Sequence, residues 1–462
     1  MTVKKASLHI MGAATILALF ARSAGGCVEP SGVAEAAGAG GAPAPLATGG
    51  GSEPGSGSSS GGSSSGGSSS DGSSTGSPAD GGVDVVVPIA CASDGVGRPL
   101  ATHAGGEGYH LATGERIAVG NAMFARVVIG DVTGDGRADV VGAELDAAWI
   151  FPQQGDGSFG APIVVAHSFG NPPSVALLQA TADTTLDLVV TGWMGLDVIP
   201  SLGAGSFGPA THVSTVFGFD LEVADINRDG HDDIIVPSPD GLILAYGDGA
   251  GSLGNAELLT GSYGQIGYQI AMGDVTGDQI PDLVSVTPTS APGLIMVPHN
   301  GVDALSTSGW SKLSFPGEAV AGFALGDVNA DGLLDVVVQQ DDNTDYDVRT
   351  RLIPGAVGGF GPPIEIAKSS YGGAVVIADV NADGRGDVVL VHSGGFEVGV
   401  VLSTPAGMGP HQSTMVPTAA SVASYALAVG DVDCDGCPDV VTSDVGGLVV
   451  FRGQGCGASP GP

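Results

Sequence analysis

The sequence predicts an all-β protein: a seven-bladed β-propeller of four-stranded blades, preceded by a disordered Gly/Ser tether. Three observations carry that expectation. Glycine supplies 80 residues and proline 29, only 14% of the chain is charged, and the apolar fraction is rich in Val, Ala, Ile and Leu; glycine and β-branched residues both weaken helices. An Asp-rich turn recurs seven times, at spacings of 48, 46, 49, 53, 52 and 52 residues. Short apolar runs flank each turn, and a period near 50 with short strands and Gly-rich turns is that of blades arranged radially.

In chain order, residues 1–26 read as an export signal. Lys4 and Lys5 give a charged start, Ile10 to Phe20 a short apolar run, and Ser23-Ala24-Gly25-Gly26 a small-residue stretch. The run is too short to span a bilayer as a mature helix. Cys27, directly after Ala24-Gly25-Gly26, resembles the cysteine of a bacterial lipoprotein box, although Ala24 stands where that box usually has Leu and Arg22 interrupts the run. The resemblance implies lipidation at Cys27 and an outer-membrane or cell-surface lipoprotein; plain secretion is the alternative. Residues 27–95 form the tether. From Gly49 to Ser77, 25 of 29 residues are Gly or Ser, a composition that buries no core and behaves as a flexible coil spanning on the order of 45 Å.

The propeller is expected over 96–458. Its turns read DVTGDGRAD (131–139), QATADTTLD (179–187), DINRDGHDD (225–233), DVTGDQIPD (274–282), DVNADGLLD (327–335), DVNADGRGD (379–387) and DVDCDGCPD (431–439). Each follows an apolar strand such as ARVVIG (125–130) and precedes a second such as DVVLV (387–391) and a third such as LVVFR (448–452). The last repeat stops after its third strand, near Gly457. The segment HLATGERIAV (110–119) precedes the first repeat and is placed to supply the missing fourth strand, closing the ring and removing its exposed edges.

The Asp turns, with GDGSFGAP (155–162), GAGSFGPA (203–210) and GGFGPP (358–363), resemble the FG-GAP/VCBS repeats of integrin α-subunit propellers and of many bacterial surface proteins. The resemblance covers about residues 100–457. It implies an extracellular binding or adhesion module whose ligand face lies opposite the metal loops.

The turn pattern D-x-[DNT]-x-D-G-x-x-D has its own chemistry. Oxygen-bearing side chains at positions 1, 3 and 5 converge in a tight loop, position 9 arrives from the next strand, and Gly at position 6 permits the turn. Hard oxygens in a flexible loop suit Ca²⁺ better than Mg²⁺. The expected ligands are Asp131, Thr133, Asp135 and Asp139; Asp225, Asn227, Asp229 and Asp233; Asp274, Thr276, Asp278 and Asp282; Asp327, Asn329, Asp331 and Asp335; Asp379, Asn381, Asp383 and Asp387; and Asp431, Asp433, Asp435 and Asp439. About five or six Ca²⁺ sites follow, stapling the fold. The site at Asp274 has Gln279 in place of Gly and is expected to be weaker or strained. The turn at 179–187 has Gln179, Thr181 and Thr184 at key positions and is expected to be empty. An EF-hand would need Glu at position 12, where Gly142, Val236, Ser285, Val338, Leu390 and Thr442 stand; a dockerin would continue as a helix, not as a Val-rich strand.

Several other motifs carry less. G-x-G-x-x-G at Gly155, Gly203 and Gly249 starts 24 residues after its own Asp turn each time, so it belongs to a blade hairpin and not to a dinucleotide site. Arg385-Gly386-Asp387 spells an adhesion tripeptide, but Asp387 is position 9 of a loop. Phe219, Tyr268 and Tyr425 share one phase, with Phe124 and Tyr371 nearby; blade packing explains them more simply than a ligand-binding aromatic rim. The acidic tip Asp341-Asp342-Asn343-Thr344-Asp345 reads as a solvated hairpin. Nine dispersed histidines form no H-x-x-x-H pair, and no nucleophile elbow occurs, so nothing argues for an enzyme. Cys91, Cys434, Cys437 and Cys456 allow three pairings; Cys434 with Cys437 locally would leave Cys91 to join Cys456 and pin the ring.

With 14 Lys+Arg against 49 Asp+Glu and a formal charge of −35, nucleic acid is excluded as a partner. The expectation is a monomeric, exported, calcium-binding module for an extracellular protein or glycan, held to the membrane if Cys27 is lipidated. The alternative is a carbohydrate-active enzyme or lectin-like glycan binder using the same face.

Overall fold

The computed structural model describes most residues from Gly108 to Cys456, together with a short ladder that pairs Ala92–Ser93 with Val96–Gly97. That ladder overlaps the end of the expected tether at residue 95. The expected signal, Cys27, Cys91, Tyr371, Tyr425 and the tip at 342–345 lie outside the described residues.

The described residues contain no α-helix and form seven four-stranded antiparallel sheets. Blade 1 comprises Arg126–Gly130, Asp139–Glu144, Ala147–Phe151 and Ile163–Ala166, and blades 2 to 6 begin at Ser174, Glu222, Ile270, Ala319 and Val375. Blades 1 to 6 are meanders in sequence order, so the first strand of each is also its first in space. First strands of consecutive blades neighbour one another all the way round, blade 7 meeting blade 1.

Packing explains the sequence pattern of the strands. A blade is covered by another on each face, so inner strands are buried on both sides and lose the usual alternation: every residue of Asp187–Gly192 and Gly195–Ile199 is buried. Fourth strands lie at the rim and alternate, as in Ile163–Ala166 and Gln412–Met415. Seven apolar clusters fill the seven blade interfaces; one joins Val389, Val398 and Val400 of blade 6 to Leu427, Val440 and Val449 of blade 7. At roughly 25 cal/mol per Å² of apolar surface, these interfaces are the main source of stability.

The ring closes as the sequence predicts. Blade 7 supplies Leu427–Gly430, Asp439–Asp444 and Gly447–Phe451, and its fourth strand is Glu115–Ala118, paired Leu448 to Ile117 and Val450 to Glu115. His110–Leu111 continues the closure by pairing with Gly453–Gln454. Tyr109 is buried and its hydroxyl donates to the Pro438 carbonyl at 2.8 Å, while Arg116 Nε donates to buried Asp444 at 2.8 Å.

The local pairing expected of Cys434 and Cys437 is not formed. Cys437 pairs with Cys456, 19 residues on, with Cα atoms 5.5 Å apart. The seventh loop turns position 7 inward beneath the blade's C-terminal end, where Cys437 and Cys456 are both buried in the interface cluster with blade 6. Cys434 is disulfide-bonded as well.

Closure from both ends of the chain makes the N-terminal strand indispensable. Deleting residues 108–119 exposes the edge of blade 7 and the Val-rich faces beneath it. We expect loss of the single cooperative thermal transition by calorimetry; an unchanged melt would refute closure by this strand.

Candidate metal centres

Each Asp loop joins the first strand of a blade to its second. Position 2 is apolar and anchors the loop in the blade interface: Val132, Ile226, Val328, Val380 and Val432 are all at most 1% exposed. The position 1 carboxylate then gathers loop amides. Asp131 accepts from Gly134, Asp135 and Gly136 at 2.7, 3.0 and 2.7 Å. Asp225, Asp327, Asp379 and Asp431 accept from positions 5 and 6 of their own loops. Position 5 accepts the amide of position 7, as in Arg137 to Asp135 and Leu333 to Asp331. The carboxylates are thereby oriented inward by the backbone.

The turn requires left-handed backbone at two places. Position 6 has it at Gly136, Gly230, Gly332, Gly384 and Gly436, and at Gln279 with φ 66°. Gln279 is therefore strained as expected, at a cost of about 1–2 kcal/mol. Position 4 has it too, and there the sequence gives no glycine signal in four loops: Arg228, Ala330, Ala382 and Cys434 all have positive φ.

Position 9 has a second role that the ligand pattern did not reveal. Asp139, Asp187, Asp233, Asp282, Asp335, Asp387 and Asp439 are all 0% exposed. In every blade its Oδ1 accepts a backbone N–H from the second residue beyond the third strand: Gln153, Ser201, Gly247, His299, Gly355, Ser403 and Gly453, at 2.6 to 3.0 Å. In six blades Oδ2 accepts from loop position 2 or 3, for example Thr133, Val328 and Val432 at 3.0, 2.9 and 3.0 Å. Position 9 thus ties the second strand to the loop and to the end of the third. It persists in blade 2, where Gln179 stands in place of the first acid of the loop.

The donor set fits a hard dication. In the seventh loop, ligand oxygens of Asp431, Asp433 and Asp439 lie within 4.8 Å of one another. In the first, Thr133 is buried beside Asp139, which accepts the Thr133 amide at 3.0 Å. Asn227, Asn329 and Asn381 stand at position 3 elsewhere, so those loops bring fewer carboxylates together. A cation from the chain itself also enters the seventh loop: Arg452 lies 3.1 Å from Asp439 and 3.6 Å from Asp433, and its Nη2 donates to the Gly157 carbonyl of blade 1 at 2.7 Å. The Arg452 guanidinium offsets part of the charge that a metal would otherwise meet alone.

Other sequence features take structural roles. The G-x-G-x-x-G segments at Gly155 and Gly203 are third-to-fourth-strand hairpins, bridged Gln153 to Phe159 and Ser201 to Phe207, and Gly247 bridges to Leu253 around the third. In the Arg-Gly-Asp tripeptide, Arg385 donates to the Asn329 carbonyl of the neighbouring loop at 2.7 Å and Asp387 is buried. Phe124 is 0% exposed and packs edge-on against Phe151 and Trp149 at 5.8 and 6.2 Å. Phe219 meets Phe217 at 5.4 Å.

The model for the FG-GAP-like repeat matches residues 225–285 and 327–390. No curated protein matches the chain by sequence. Among solved structures, BBS1N in complex with ARL6DN, soaked with mercury, is 13% identical with a TM-score of 0.51, covering 76% of this chain and 98% of that one. A lectin of Agrocybe aegerita that recognises non-reducing terminal N-acetylglucosamine is 16% identical with a TM-score of 0.48, covering 74% and 87%. At these identities the likeness concerns the fold alone.

Two outcomes follow from the loops. Asp187→Ala strips the Ser201 amide of its acceptor in a blade without the full acidic set, and we expect a loss of about 1–3 kcal/mol by chemical denaturation in chelator. No loss would refute the staple. Second, burial raises the carboxyls of Asp139, Asp233 and Asp335 to about 6 and those of Asp387 and Asp439 to about 7, Asp433 adding to the last. Unfolded, each titrates near about 3.9. The folded chain therefore holds these protons more tightly, and their contribution is complete below pH ~4 and lost as pH rises through ~6 to ~7. In chelator, denaturation midpoints should fall across that window.

Proposed function

Because the chain carries FG-GAP-like repeats in a seven-bladed propeller, we propose that it is a calcium-stapled binding module that engages a partner through the face opposite its Asp loops. The metal is Ca²⁺, held by the acids and Asn or Thr at positions 1, 3, 5 and 9 of the six acidic loops. Calcium supplies charge neutralisation there; the chain's own amides orient the carboxylates, and position 9 transmits the loop's order into two strands. The metal stabilises the fold and takes no part in chemistry, so the module binds and does not catalyse. The formal charge of −35 favours a calcium-rich extracellular setting. The N-terminal charged-apolar-small pattern and Cys27 support export and lipid anchoring, with the Gly/Ser segment as spacer for a monomeric domain.

The observation that carries the binding face is a run of exposed apolar hairpin tips on three consecutive blades. The hairpins between second and third strands lie at the strand ends away from the Asp loops. There Val445 of blade 7 is 40% exposed, Leu145 of blade 1 44%, and Trp193 and Met194 of blade 2 49% and 59%. An exposed Trp flanked by other apolar tips is a typical binding anchor. The partner is an extracellular protein or glycan.

One observation favours a glycan over a protein. Just below the Trp193 hairpin, Asp197 accepts from His167 Nε2 at 3.0 Å and pairs with His212 Nδ1 at 2.5 Å. A flat aromatic beside a fixed carboxylate and two imidazoles is suited to stacking on a sugar and bonding its hydroxyls. A carbohydrate-active enzyme would use the same groups.

Calorimetric titration of Ca²⁺ into the chelated protein should find five or six sites, each adding about 2.7 kcal/mol of stability at a hundredfold excess over its dissociation constant. No binding and no shift in the melt would end the calcium reading. Trp193→Ala should weaken capture of immobilised extracellular glycans or surface proteins about tenfold or more, with the calcium titration unchanged. Release of free sugar by the unmodified protein would favour the enzyme.

A further inference from the structure

Three side chains of blade 6 belong neither to the Asp loops nor to the exposed hairpin tips of blades 7, 1 and 2. His392 ends the strand Asp387–His392, Glu397 begins the strand Glu397–Val401, and His411 immediately precedes Gln412–Met415. Alternation along strands sets them on one face of the sheet. His392 pairs with Glu397 and Leu390 with Gly399, while Gly399 pairs with Ser413, two residues after His411. The face is the one packed towards blade 5, where Leu390 and Val401 meet Ala367 and Val337.

The sheet makes room for this grouping at one position. A Cβ on Gly399 would lie 2.2 Å from His411 Nε2 and 2.7 Å from Leu390 Cδ1. The missing side chain lets the His411 ring lie across the middle strand towards His392. The two rings approach to 5.5 Å between centroids, and His392 Nδ1 lies 3.1 Å from Glu397 Oε1. Ligand atoms of His392, Glu397 and His411 all fall within 4.8 Å of one another.

Hydrogen bonding leaves the cluster incomplete. The His392 side chain is 0% exposed, yet its Nε2 has no partner, and neither has the buried Nε2 of His411. Two buried imidazole nitrogens without partners, side by side, call for a specific explanation, because each forfeits its hydration for nothing. A plain His–Glu pair accounts for only one nitrogen of the two rings. Burial holds both imidazoles below their ordinary pKa, and for His392 the neighbouring His411 adds to that.

We propose that His392, Glu397 and His411 form a transition-metal site for Zn²⁺, with the fourth position left to water. Two imidazoles and one carboxylate make a borderline N₂O donor set that suits zinc and disfavours calcium, which takes oxygen alone. The site is separate from the Asp loops: His392 stands five residues beyond Asp387 on one strand, about 17 Å away at the usual strand rise. It does not depend on the calcium reading.

The test uses the full chain, chelated and then held in saturating Ca²⁺ so that the Asp loops do not compete. Zn²⁺ titrated by calorimetry should bind with one-to-one stoichiometry. Co²⁺ in its place should give the intense visible bands of a four-coordinate ion and paramagnetic shifts on two imidazole rings. That readout needs no substitution. His411→Gln should weaken zinc binding by at least about a hundredfold, while the calcium titration stays as in the parent. Absence of zinc binding, or cobalt that shifts no imidazole, overturns the proposal. So does zinc binding that survives both His411→Gln and His392→Gln.

Discussion

The fold depends on a carboxylate that water never touches. Seven times, an aspartate at the start of a second strand is fully buried and accepts an amide from the second residue beyond the third strand. A buried carboxylate is costly unless its oxygens are bonded. Six blades meet that condition on both sides, since the other oxygen takes an amide of the preceding loop. The bond set fixes the loop at one end of each blade and leaves the strands free to fill the interfaces with Val, Ile and Leu.

This arrangement divides the propeller into two ends with different chemistry. One end carries the Asp loops, whose carboxylates are aimed by backbone amides and linked between blades. Gly386 donates to the Asp327 carbonyl at 2.9 Å, Ser403 Oγ to the Val328 carbonyl, and Ser201 Oγ to the Val132 carbonyl. These bonds tie each loop to the blade beside it. The other end presents Val445, Leu145, Trp193 and Met194 on adjoining hairpins. Arg452 crosses from blade 7 to blade 1 at the loop end and also packs over the Phe159 ring, 5.6 Å from its centre. It reinforces the junction where the two ends of the chain meet.

Much of this was legible in the sequence, because its causes are local or periodic. A repeat near 50 residues set the number of blades, an unpaired third strand near Phe451 called for a partner, and the segment around Ile117 had the apolar character to be one. The strain at Gln279 followed from a missing glycine. The left-handed residues at Ala330, Ala382, Arg228 and Cys434 were not legible, since no glycine marks them and only the closed loop demands that backbone. The local cysteine pair failed for a similar reason: spacing brought Cys434 and Cys437 close in sequence, but the loop turned Cys437 towards Cys456.

The sequence by itself determined the all-β class, the seven blades, the closure of the ring and the positions of the acidic loops. Each rests on a pattern repeated along the chain, and repetition makes a weak local signal strong. Only the tertiary structure decided what single residues do. It set position 9 under two amides, brought Arg452 to the seventh loop from a different strand, and left Trp193 and Met194 in solvent. It also drew His392, Glu397 and His411 together across three strands through the space that Gly399 leaves. Those outcomes depend on which strands pair and which faces are covered, and cross-strand register is written in no local spacing of the chain.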